Sequence, residues 1–238
     1  MDRAELGASL NLRTELIPES NGNRSGRPIA PKFITIHNTA NTSKGADADA
    51  HSRFVRNKGF YILKSGKKNH VSWHFTVDDG CVIKHLPVNE RAIHAGKANG
   101  VSVAIEICMN KGIDQTEANW RAARLVAVLM HDLKIPLSNI KPHKHWTGKH
   151  CPSLLVGDFE NFCNMCDAVF AAMPTSPAEA VPPNFEDVLL TEEIEAVSLN
   201  RDMAEQGMLV EDAIEDDPAE EHGAIAVEVE AFIEGEKQ

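Results

Sequence analysis

The segment Pro142-His143-Lys144-His145-Trp146-Thr147-Gly148-Lys149-His150-Cys151-Pro152 gathers three histidines, two lysines and a cysteine into one short stretch. Imidazole nitrogen and thiolate sulfur together make a borderline-soft ligand set that suits zinc. A cysteine between a histidine and a proline, two residues after a lysine, is not placed like an ordinary core residue. A further ligand must come from elsewhere in the chain, and the best candidate is His37, at the end of Phe33-Ile34-Thr35-Ile36-His37. Two histidines and a cysteine leave the fourth tetrahedral position to water, the pattern of a catalytic zinc site rather than a structural one. On spacing alone His143, His145 and His150 compete for the second histidine position, since all three neighbour Cys151.

The elements that must position these groups are legible from periodicity. Phe33–His37 is apolar and β-rich, so it reads as a buried strand that presents His37 at its end. Val101, Val103, Ile105 and Ile107 alternate with Ser102, Ala104, Glu106 and Cys108, a central strand with an unusual second face. A carboxylate in mid-strand is costly to bury without a partner or a task, which singles out Glu106. Val71, Trp73, Phe75 and Val77 alternate with Ser72, His74 and Thr76; Asp78-Asp79-Gly80 turns the chain, and 81–86 returns to complete a hairpin. His74 lines the cleft or is a satisfied structural histidine; His51, His70 and His85 read as packing or surface residues.

Helices are expected from the N-cap residues Asn41-Thr42-Ser43 to about Asn57, from Thr116 to about Lys134 on a 3.6-residue apolar stripe, and after Asp158, where Phe159, Phe162, Cys163, Cys166, Val169 and Phe170 share a face. On that stripe Cys163 and Cys166 read as packing residues rather than a redox pair. Residues 1–31 are polar and rich in Gly, Asn, Ser and Pro, a loop by composition.

Five ordered blocks carry a resemblance: Thr35-Ile36-His37-Asn38-Thr39, Ser72-Trp73-His74-Phe75, His94-Ala95-Gly96, Val103-Ala104-Ile105-Glu106-Ile107, and His143 with Lys149-His150-Cys151-Pro152. No block alone is specific, but the set closely resembles the zinc N-acetylmuramoyl-L-alanine amidases, the group that includes phage lysozyme-type amidases and peptidoglycan recognition proteins. The resemblance spans about residues 15–172. It implies an α/β fold, a central mixed β-sheet flanked by helices, and one zinc ion held by His37, His143 and Cys151. The family pattern places a histidine eight positions before the cysteine and a lysine two before it, which are His143 and Lys149 here. It leaves His145 and His150 at the rim.

The same resemblance implies the reaction, hydrolysis of the amide joining N-acetylmuramic acid to L-alanine. Glu106 is then the general base and acid, Lys149 the cation beside the oxyanion, and His94 a substrate-binding residue. Part of the family carries a tyrosine where this chain has Trp73; an indole offers only an N–H donor, so that variant of the chemistry does not transfer. The implied partner is bacterial peptidoglycan, and the leading expectation is a phage or prophage endolysin acting as a monomer. A muropeptide-recycling amidase and a non-catalytic recognition module are the alternatives. Recognition members typically lack the zinc cysteine, which stands here as Cys151.

Charge divides the chain. The whole carries −11, but residues 175–238 hold 19 acidic and 2 basic residues, leaving a body of +6. A basic body suits an anionic partner such as a cell wall; nucleic acid is not expected. Pro174, Pro177, Pro182 and Pro183 open the acidic stretch, so the expected division is a catalytic domain at 1–174 and a weakly ordered or partly helical tail at 175–238. The five cysteines do not form a small secreted disulfide framework. The N-terminus lacks a basic region followed by an apolar run, and no segment approaches a membrane span of ~18 apolar residues. The expectation is cytoplasmic synthesis, no membrane insertion, and access to the wall after release, for example through a phage holin.

Overall fold

The computed structural model describes residues 2–173; the acidic stretch expected to form a tail lies outside the described residues. In chain order the elements are α1 (Arg3–Ala8), β1 (Leu12–Thr14), β2 (Phe33–Asn38), α2 (Ala48–Asn57), β3 (Phe60–Ile62), β4 (Lys68–His70), β5 (Phe75–Val77), β6 (Val82–Lys84), β7 (Ser102–Ile107), α3 (Gln115–Leu133), β8 (Ile140–Pro142), α4 (His143–Thr147) and α5 (Phe159–Ala171). Six strands form one sheet in the order β1-β6-β5-β7-β2-β8, and β3 and β4 make a separate small hairpin. Only the β5–β6 pair of the large sheet is antiparallel. The sheet is therefore mixed and flanked by helices, as expected.

Strict alternation gives the sheet two chemically different faces. Ile34 and Ile36 of β2, Val103, Ile105 and Ile107 of β7, and Phe75 and Val77 of β5 enter one core cluster with Ala122, Val126 and Leu129 of α3 and Phe162 and Cys166 of α5. Their neighbours along the same strands, Thr35 and His37, Ser102, Ala104 and Glu106, and Thr76, take the opposite face. There Ala104 joins a second cluster with Ala50, Phe54 and Val55 of α2 and with Trp73 and Leu86. Period-2 patterning thus packs α3 and α5 against the large apolar side chains of one face, and sets the small or polar groups of the other face toward α2 and the site.

Several local readings are corrected by the folded chain. The N-terminal stretch is not all loop: Asp2 and Glu5 form a reciprocal capping box that starts α1. Leu6 and Leu10 reach the main core, and β1 adds the edge strand beside β6. Asp47, not the Asn41–Ser43 run, caps α2, its side chain accepting from the Ala50 N–H. The β5 strand is only three residues long, because Trp73 and His74 precede it outside the ladder. Trp73 is nonetheless core, and its indole N–H donates to Thr76 Oγ1 at 2.7 Å. The expected strand at 33–37, the helix ending at Asn57, and the helices near 116–134 and after Asp158 are all present.

Candidate metal and catalytic centre

Three chain segments that end at the same edge of the sheet build the centre. Parallel pairing sets Ile36 beside both Ile105 and Pro142, and His37 beside Glu106. Residues paired across parallel strands share a face, so His37 and Glu106 project together near the carboxyl ends of β2 and β7. The chain leaves β8 at Pro142 and turns directly into α4, which places His143 beside them. Carboxyl ends of parallel strands are where open α/β sheets present ligands.

His37, His143 and Cys151 converge so that one ligand atom from each lies within 4.8 Å of the others, and all three are buried. Cys151 Sγ is 3.8 Å from His37 Nδ1, and Glu106 Oε1 is also 3.8 Å from that nitrogen. Nδ1 is therefore the edge of His37 that faces the centre. The rings of His37 and His143 meet edge to face at 4.6 Å. Burial, then the nearby Lys149 charge, pushes His143 down to about 3, so it is a neutral imidazole at ordinary pH. A neutral imidazole is the form that ligates a metal. This donor set, two imidazoles and one thiol, fits an open zinc site.

The rival histidines stay apart. His145 and His150 are exposed and take no part in the cluster. The segment opens with one helical turn, and α4 is what separates buried His143 from exposed His145. Glu106 is 5 % exposed, so the mid-strand carboxylate is buried at the centre itself. Lys149 lies half-buried and close enough to His143 to influence its protonation.

His94, the expected substrate-binding residue, lies buried beside the centre. Its Nδ1 is 3.0 Å from His37 Nε2, its Nε2 is 3.2 Å from Ser102 Oγ, and burial pushes its pKa well down. Both ring nitrogens are thus engaged inside the protein. Nothing in the sequence revealed this contact, since 57 residues separate the two histidines. His74 is likewise internal: its ring accepts the Ala104 N–H and donates to the Glu90 carbonyl. His85 lies 2.8 Å from Thr76 Oγ1, and His51 is buried against α2's own Asp47 carbonyl. No disulfide links the cysteines; Cys163 and Cys166 pack in the main core.

Two histidines and a carboxylate at or just beyond parallel strand ends, joined by Cys151 from the loop after α4, form a candidate metal centre of the kind that hydrolases use. The family follows from comparison. The model of the N-acetylmuramoyl-L-alanine amidase family matches residues 25–154, more than half of the chain. The chain belongs to that family. It is 40 % identical over 178 residues to the N-acetylmuramoyl-L-alanine amidase CwlH of Bacillus subtilis (strain 168), covering 73 % of this chain and 66 % of that protein. It is 42 % identical over 157 residues to XlyA of the same strain, covering 64 % of this chain and 50 % of that protein. The chain thus spans two thirds or less of these curated relatives. Against the solved catalytic domain of XlyA the TM-score is 0.60 at 41 % identity, over 66 % of this chain and 99 % of that domain.

Proposed function

We propose that this chain hydrolyses the amide between N-acetylmuramic acid and L-alanine in bacterial peptidoglycan, using one zinc ion held by His37, His143 and Cys151. The convergence of those three side chains within 4.8 Å, with Glu106 beside them, carries the reading. Family membership supports the substrate, and the named relatives are amidases of that bond. Cys151 inside the cluster favours a catalytic role over recognition alone.

Bound zinc supplies a Lewis acid for the carbonyl and a nucleophile from water near neutral pH. The rest falls to the chain's own groups. Glu106, a carboxylate at the centre that is not among the three ligands, takes the proton of the attacking water and passes it to the leaving amine. Lys149 sets its positive charge beside the oxygen on which negative charge develops. Burial of His37, His143, Cys151 and Glu106 excludes bulk water and strengthens these interactions. His94 acts through His37 rather than on substrate.

The domain responsible is residues 1–174, acting as a monomer on the wall after release from the cell, as through a phage holin. No helix among the described residues is long and apolar enough to cross a membrane. The decisive experiment is mass spectrometry of purified peptidoglycan digested by the zinc-loaded protein. New L-alanine amino termini with free muramic lactyl groups are expected. New reducing sugar ends, or peptide cuts within the stem, would reject the assignment.

A further inference from the structure

Beyond the ligands, an uninterrupted series of polar contacts crosses the site face of the sheet. The Trp146 indole N–H donates to Thr35 Oγ1 at 3.0 Å, and the Thr35 hydroxyl donates to Ser102 Oγ at 2.9 Å. Ser102 Oγ is 3.2 Å from His94 Nε2, and His94 Nδ1 is 3.0 Å from His37 Nε2. Thr35 and Ser102 are fully buried, and His94 is 7 % exposed. Trp146 is steadied by edge contacts with Phe33 at 5.2 Å and His145 at 4.9 Å. The two ends of the series belong to the two histidine ligands' own elements. Trp146 is in α4, which begins at His143, and the far end is His37 itself, in β2.

We propose that Trp146, Thr35, Ser102 and His94 form a positioning relay that pins α4 to β2 and holds His37 with Nδ1 turned to the metal. This inference rests on the zinc reading given above. The donor–acceptor count supports it. A metal on Nδ1 leaves the His37 proton on Nε2, where it donates to His94 Nδ1. His94 then carries its own proton on Nε2 and donates to Ser102 Oγ. That oxygen has two lone pairs, one for His94 and one for the Thr35 hydroxyl. The Thr35 oxygen in turn accepts from an indole, which can only donate. Each of the four contacts thus pairs one donor with one acceptor, and the His37 proton is kept off Nδ1, the edge that faces Cys151 and Glu106. Outer partners of metal-bound histidines set ring orientation and tautomer in this way. Here the partner of one ligand is tied back to the helix that carries the other, so both are held before metal arrives.

The test is zinc affinity by competition with a chromophoric chelator, on the full chain, with circular dichroism to confirm folding. Thr35→Val keeps the shape of the side chain and removes only the hydroxyl; a loss on the order of tenfold in affinity is expected, since disrupting outer-shell partners typically costs ~10–100-fold. Thr35→Ser restores the hydroxyl and should bind zinc nearly as the natural chain does. His94→Leu should lose on the order of 10–100-fold, and His94→Asn, whose amide oxygen stands where Nδ1 did, should recover most of it. In the zinc-loaded natural chain, long-range imidazole nitrogen–proton spectra should show His37 and His94 both protonated at Nε2. Unchanged affinity in folded Thr35→Val or His94→Leu, or His94 protonated at Nδ1 in the loaded protein, overturns the proposal. If His94 instead contacts substrate, its variants will keep zinc affinity and raise KM. The affinity readout needs no substrate, so it fails or stands separately from the amidase reading, whereas a natural chain that takes no zinc sinks the metal reading itself.

Discussion

At the scale of single residues, the proposed division of roles makes separate predictions for each side chain. His37→Ala, His143→Ala and Cys151→Ser should each lose metal and activity, because a two-ligand remnant cannot hold zinc firmly. His145→Ala and His150→Ala should keep both, since those rings are exposed and outside the cluster. Metal analysis of the purified variants decides it; full zinc occupancy in His143→Ala would refute the ligand set. Glu106→Gln retains shape and hydrogen bonding but not basicity, so turnover should fall ~10²–10⁴-fold with zinc kept. Lys149→Ala should cost on the order of 10²–10³-fold, as for a single oxyanion donor. In the proposed mechanism both groups act on one transition state, so the double variant should lose less than the product of the two. Near-normal turnover of zinc-loaded Glu106→Gln on purified peptidoglycan would remove Glu106 from the mechanism.

At the scale of elements, buried neutral histidines join pieces of the sheet and the site-face loops. His74 accepts from the β7 backbone at Ala104 and donates to Glu90, and His85 meets Thr76 of β5. Burial pushes His74 to about 4 and His85 to about 3, from an ordinary 6.5. Folded values below the unfolded value mean that, between them, the unfolded chain binds more protons. Stability therefore rises with pH through this window and is lost progressively as pH falls from about 6.5 toward 3. Denaturant titrations of the metal-free protein should show the midpoint falling from pH 7 to pH 5. Substituting His85 by Gln should shallow that slope. An unchanged slope in the variant would show that other groups dominate acid sensitivity.

At the scale of the whole molecule, the described residues close their own core. Helix α5 packs against α3, with Phe162 and Cys166 in the main cluster, so the last described element belongs to the fold. We propose that truncation after about Thr175 leaves a folded, zinc-loaded enzyme. The acidic stretch of 19 acidic and 2 basic residues opposes a body of +6, so its removal should increase adsorption to an anionic wall at low salt. That gain should shrink as salt screens it, with a Debye length of ~10 Å at 0.1 M. Sedimentation with purified walls across a salt series is the measurement. An insoluble or metal-free truncation product would place residues beyond 175 within the fold.

Local order in the chain determined much of this. Alternation at 101–108 predicted a central strand with Glu106 on its odd face, the apolar stripe predicted α3, and a mixed sheet with helices was expected. The chemical types at 142–152 pointed to zinc as the metal to propose, because ligand softness belongs to the side chain and not to the fold. Which histidine would join His37 and Cys151 was another matter. His143, His145 and His150 were equal on spacing, and resemblance rather than residue chemistry chose among them. The structure brings in His143 alone because the chain turns helical directly after β8 and carries His145 outward. The capping box that starts α1 was readable in Asp2 and Glu5, yet composition masked it. The His94–His37 contact, and the series running from Ser102 through Thr35 to Trp146, had no local signal at all. Hydrogen bonds between residues 57, 8, 67 and 111 positions apart depend on strand register and on where α4 docks, which only the packed sheet decides.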